Sequence, residues 1–200
     1  LATMYKGAID LKPAMLYALG FIFLFLIGGL TGLVNGALAA DIHVHDTYFV
    51  VGHFHYVMFG GTGFAFIAAF YYWFPKVYGR MYNIKVANLA FWIMFIGFNL
   101  LYFPMLVVGM MGMPRRYYDY LPEFHTPNII STVGSWILIS GLIMMIVNFV
   151  RGARKGEKAG KNPWNGLTLE WSVDSPPTLE NFDEVPVVTA GPYDYHKEEE

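Results

Sequence analysis

The chain has no cysteine. Disulfides, thiolate metal sites and cysteine nucleophiles are therefore excluded, and histidine is left as the natural ligand for any redox metal. Charge is also scarce: Lys, Arg, Asp and Glu make up 14% of the 200 residues, against 56% hydrophobic. Soluble domains carry about 25% charge, so this composition points to a membrane. The net charge of −2 lacks the basic surplus that a nucleic-acid partner requires. The opening LATMYKGAID has neither the charged-then-apolar layout of a signal peptide nor an initiator methionine, and the chain is expected to begin within a longer protein.

Residues 14–34, 47–75, 86–112 and 126–150 hold no Asp, Glu, Lys or Arg at all. Each reaches the ~20 apolar residues that cross a bilayer. The expected fold class is all-α, a polytopic transmembrane helix bundle. Lys6 and Lys12 precede the first helix, Lys76, Arg80 and Lys85 follow the second, and Arg151, Arg154, Lys155, Lys158 and Lys161 follow the fourth. The positive-inside rule puts all three groups on the inner face. Arg115 and Arg116, in the loop before the fourth helix, break that rule and call for a local anionic partner. Gly28, Gly32 and Gly36 recur at four-residue spacing, which reads as close helix packing. Gly60, Gly61 and Gly63 do the same, or make room for a flat cofactor. Pro104 is expected to kink the third helix. Residues 153–200 are charged, Pro-bearing and aperiodic, and read as an extended inner-face tail. Within it LTLEWSV is a candidate short strand, and residues 197–200 are expected to be disordered.

Four of the six histidines lie in DIHVHDTYFVVGHFHYV, residues 41–57. His53 and His55 enter the second apolar stretch; at about 1.5 Å per residue, His53 lies roughly 10 Å below Asp46. Two residues apart on an α-helix, they differ in direction by about 200°, so one metal does not easily take both. Two cofactors flanking the helix fit better. Haem is the natural candidate, because imidazole is a common axial ligand. The plain alternative is a pair of neutral, hydrogen-bonded core histidines, although intramembrane ionisable residues are by default functional. At the outer rim Asp41, His43, His45 and Asp46 form either a site for a hard divalent ion or a solvated loop. Arg115 and Arg116 suit carboxylates such as haem propionates, or are a surface basic pair.

HDTYFVVGHFHYV followed by MPRRYYDY resembles subunit I of cytochrome c oxidase, in the haem-copper oxidase superfamily. The resemblance continues through ALGFIFLFLIGGLTG, YWFPKVYGR, FIGFNLLYFP and the tail NPW…LEW…SPP, so it covers nearly the whole chain. It implies that His53 is the axial ligand of a high-spin, oxygen-binding haem and His55 an axial ligand of a low-spin haem, both expected to be a-type. It implies further that His45 and Asp46 bind magnesium, that Arg115 and Arg116 hold propionates, and that Asp41 lies near them; His43 receives no role. Phe54 would pack between the haems, or else face lipid.

The implied reaction is reduction of O2 to water coupled to proton pumping. Subunits II and III would be partners, with cytochrome c or a quinol as electron donor. The membrane would be a bacterial inner membrane, with the tail cytoplasmic. The family's copper-binding histidines, its second low-spin haem ligand and its proton-channel residues have no counterpart here. The resemblance therefore implies the last third of the subunit, about four of twelve helices, as a piece or as one chain of a split subunit. Such a chain would be inactive alone, with residues 1–152 as its haem-binding part and copper held by upstream helices. Two rivals stand beside it. One is a membrane di-iron oxygenase, whose histidines are spaced three or four apart. The other is a transporter, for which Asn35 and Asn99 are isolated polar groups.

Overall fold

The computed structural model describes residues 1–182, 184–189 and 191–195; the expected disorder of residues 197–200 lies outside them. The described residues are helical, with isolated bridges but no strand. The α-helices are α1 (Pro13–Gly36), α2 (Leu38–Val44), α3 (Tyr48–His55), α4 (Phe64–Tyr78), α5 (Ile84–Met110) and α6 (His125–Lys155). A π-helical stretch, Tyr56–Gly63, joins α3 to α4 without a break. The resulting span, Tyr48–Tyr78, is called the histidine helix below. With Pro13–Gly36, Ile84–Met110 and Pro122–Lys155 it gives four helices long and apolar enough to cross a membrane.

Local chemistry sets the ends. Pro13 opens α1, where its missing N–H costs nothing and its φ is already helical. α6 runs beyond residue 150 because Arg154 and Lys155 lie in its last turn, where cations meet the carbonyl end of the helix dipole. α5 passes through Pro104 as one helix. Two expectations are corrected. The loop before the histidine helix contains the short helix α2. LTLEWSV forms a single 3-10 turn, Leu169–Trp171, rather than a strand, because Trp171 turns inward and is 1% exposed.

The core runs the length of the bundle, from Val44, Phe49 and Leu106 at one end to an aromatic cluster around Tyr17, Tyr71 and Phe74 toward the other. Tyr17 of α1 meets Phe91 edge-on at 5.0 Å and stacks on Tyr71 at 5.4 Å. Asn148 of α6 clamps the start of α5 by accepting from the Asn83 backbone N–H at 3.1 Å and donating to its carbonyl at 3.0 Å.

The tail is anchored rather than free along its first half. Lys76, near the C-terminal end of the histidine helix, is 7% exposed. Its ammonium donates to the carbonyls of Val173 at 2.8 Å and Lys161 at 3.1 Å, and lies 5.0 Å from the Trp171 ring centroid. Trp164 and Trp171 each donate their indole N–H to Tyr72, at 2.8 Å. Outside the membrane span, the Asp174 carboxylate hydrogen-bonds Lys161 and holds its ammonium above the ordinary lysine range. A buried ammonium without partners is costly, so Lys76 and the tail hold each other. Lys76→Ala is expected to speed proteolysis of residues 161–174 severalfold while the spans stay protected. Wild-type cleavage rates would show that the tail is held elsewhere.

Candidate functional site

The N-terminal end of the histidine helix is stitched to the loop after α5. Thr47 caps the helix: its Oγ1 accepts from the Phe49 N–H at 3.2 Å and donates to the Val44 carbonyl at 2.6 Å. The Tyr48 N–H donates to the Met113 carbonyl and the Arg115 N–H to the Asp46 carbonyl, both at 3.0 Å. These bonds bring Asp46 and Arg115, distant in sequence, into an ion pair with Nη2 at 2.7 Å and Nε at 2.9 Å from the same carboxylate oxygen. This is the anionic partner that Arg115 was expected to need. A cavity of about 440 Å³ opens here, lined by His45, Asp46, Gly112, Arg115, Arg116 and Tyr117 among others. Asp46 and Arg116 both take left-handed backbone, φ 53° and 69°. Such strain in non-glycine residues clusters at functional sites.

His45 sits between two carboxylates, with Nδ1 3.2 Å from Asp41 and Nε2 3.9 Å from Asp46. Asp41 is thus drawn toward His45 and does not line the cavity. His43 is exposed on α2. No three His, Asp or Glu side chains converge as a metal cluster among the described residues.

Deeper, the two half-buried imidazoles turn to different neighbours. His53 faces α1, where its Nδ1 lies 3.0 Å from the Gly28 carbonyl and 3.0 Å from Thr31 Oγ1. Glycine permits this approach. A Cβ at Gly28 would stand 3.0 Å from Val57 N, and one at Gly32 would stand 3.1 Å from His53 Cε1. Gly36, the third of that series, has open space around it. His55 faces α5, stacked at 4.2 Å and 16° on Tyr102 and at 4.4 Å and 29° on Phe54. Its Nδ1 lies 2.8 Å from the Val51 carbonyl, one turn back in its own helix. A carbonyl only accepts, so in both rings Nδ1 carries the proton and Nε2 presents a lone pair.

Comparison with known proteins decides the family. The family model for cytochrome c and quinol oxidase polypeptide I matches residues 1–137. The chain belongs to that family. Among relatives, cytochrome c oxidase subunit 1 of Synechocystis sp. is 51% identical over 193 residues, 96% of this chain and 35% of the relative. That of Thermostichus vulcanus is 48% identical over 97% of this chain and 35% of the relative; for Bacillus subtilis the values are 44%, 94% and 31%. The chain therefore spans about a third of the length of these relatives. A solved structure of a haem-copper terminal oxidase dimer matches with a TM-score of 0.68 at 27% identity, over 78% of this chain and 29% of that one. These likenesses and the four apolar helices make the chain a multi-pass, all-α membrane protein, as expected from its sequence.

The donor set fits the groups that a polypeptide I of this family implies. A haem iron needs an unprotonated imidazole nitrogen; His53 and His55 both supply one, held by a carbonyl at the opposite nitrogen. For magnesium, His45 Nε2 and Asp46 Oδ2 lie 3.9 Å apart, near enough for one hard cation to be held between them with water completing its shell. Sequence reasoning missed Thr31, Tyr102 and the buried Lys76. Thr31 was hidden in an apolar stretch that also holds Tyr17, and Tyr102 carried no signal amid so many aromatics.

Proposed function

We propose that this chain forms one wall of both haem pockets in the catalytic subunit of a respiratory terminal oxidase. The observation that carries the proposal is the pair of imidazoles, each with Nδ1 tied to a carbonyl and Nε2 free of hydrogen bonds among the described residues, aimed at different sides of one helix. His53 would ligate the high-spin haem and His55 the low-spin haem. The bound haems would supply one-electron redox chemistry and the oxygen-binding position. The residues of this chain orient and enclose. Gly28 and Thr31 hold the His53 ring, while Tyr102 and Phe54 fix the plane of His55. The covalent link His53–Phe54–His55 sets the separation of the two ligand positions, and the apolar walls exclude water.

At the outer end, Arg115 and Arg116 would take propionates, with Asp41 close behind them. His45 and Asp46 would hold magnesium, its remaining ligands being water or groups from other chains. Residues 1–152 would be the haem-binding membrane part, and residues 153–200 a tail on the cytoplasmic side of a bacterial inner membrane. The reaction proposed for the whole assembly is reduction of O2 to water with proton pumping. It requires copper bound by helices outside this chain, the rest of subunit I, and subunits II and III. The relatives' names support cytochrome c as the donor; the family's description leaves a quinol as the alternative. Two rings, two carbonyls and a hydroxyl around two imidazoles are not the surroundings of a di-iron site, which takes carboxylates or clustered histidines.

The test is an experimental map of the assembled complex. Iron is expected within bonding distance of Nε2 of both His53 and His55. Either imidazole without iron overturns the proposal.

A further inference from the structure

His53 and His55 are held differently. His55 Nδ1 has one acceptor, the Val51 carbonyl of its own helix at 2.8 Å. His53 Nδ1 faces two, both on α1: the Gly28 carbonyl and the Thr31 hydroxyl, each at 3.0 Å. Thr31 has a single O–H, and that proton has partners within its own helix, the Ile27 carbonyl at 2.9 Å and the Gly28 carbonyl at 3.0 Å. The hydroxyl therefore presents lone pairs to the imidazole, and Nδ1–H is the donor in both contacts. A stronger acceptor set behind the ligating ring makes it a better electron donor to a metal and locks its rotation. The close approach at Gly28 and Gly32 is what lets α1 provide that set.

We propose that Thr31 is a positioning residue for His53, its hydroxyl serving as a second acceptor that strengthens the bond from Nε2 to a bound iron. The inference rests on the reading of His53 as a haem ligand. It makes the oxygen-side ligand the more tightly tuned of the two, through a contact between helices rather than within one.

The test uses the complete oxidase, with Thr31→Val removing the hydroxyl at nearly constant shape and Thr31→Ser retaining it. The readouts are the iron–histidine stretching band in resonance Raman spectra of the reduced enzyme and the midpoint potential of the high-spin haem. Thr31→Val is expected to shift the band to lower frequency and raise the potential, with the low-spin haem unchanged; Thr31→Ser restores both. Wild-type band and potential in Thr31→Val overturn the proposal, as does a shift that Thr31→Ser shares. If Thr31→Val assembles without haem, Thr31→Ala is read by the same criteria. Failure of the underlying reading looks different: the wild-type band would then survive His53→Ala.

Discussion

His55→Ala, made in the complete oxidase, is expected to abolish the low-spin haem spectrum and to reduce the haem count from two per complex to one. If His55 ligates that haem, as proposed, the change removes the ligand nitrogen and leaves the helix intact. The Nδ1 bond to Val51 is a side-chain contact within one turn, and alanine is the best helix former. The rings of Phe54 and Tyr102, now 4.4 Å and 4.2 Å from the imidazole, would lose a packing partner, at a cost of about 2–4 kcal/mol by analogy with other large-to-small core changes. That penalty lowers yield but does not alter a spectrum. His53→Ala is the companion: it should remove CO binding at the high-spin haem and leave the low-spin bands in place. Optical difference spectra of both variants, with haem quantified chemically, check the pair. A His55→Ala enzyme that is merely less abundant, with its low-spin bands unshifted, would mean that His55 is a packed core residue.

Gly109→Ala should damage the assembly more than any other single methyl group in this chain. Near the C-terminal end of α5, a Cβ at Gly109 would run into the backbone nitrogen and Cα of Phe49. The neighbouring Tyr48 N–H donates to the Met113 carbonyl, so the helix cannot retreat without breaking its bond to the loop after α5. Two effects oppose each other. Glycine to alanine within a helix gains about 1 kcal/mol from propensity; overpacking costs about 1–3 kcal/mol, with the upper end applying where the neighbour is backbone. Packing wins, and the thermal midpoint of the detergent-solubilised complex should fall. Gly36→Ala is the control, because open space surrounds that position, and it should be neutral or slightly stabilising. Equal midpoints for the two variants would refute the close approach of α5 to the histidine helix.

Much of this was legible before any coordinates. The charge-free stretches marked the four spans, and their ends moved by only a few residues. The 100° step of an α-helix was enough to send His53 and His55 to different sides; α1 and α5 are the neighbours they meet. Arg115 announced its need for a partner by violating the orientation rule. What sequence could not give was the partner's identity, since Asp46 is 69 residues away and reaches Arg115 only through the backbone bonds around Thr47. Thr31 was equally hidden. Its role depends on which turn of α1 lies opposite His53, and that is decided by two glycines and the aromatic core. The anchoring of the tail was not legible, because aperiodic composition says nothing of two tryptophans and a buried lysine that fasten it to the bundle.

The π-helical stretch has a consequence for how this gene tolerates change. Each i→i+5 bond takes in one residue more than the α pattern, so the chain between His55 and Phe64 carries slack in its winding. Dropping one residue there would let the coil tighten to the α pattern and leave the helix on either side close to its present facing. An insertion finds no such slack: it would swing everything from Phe64 onward by about 100° and carry the aromatic side chains beyond it away from their partners. This stretch should therefore tolerate loss of a residue better than gain of one.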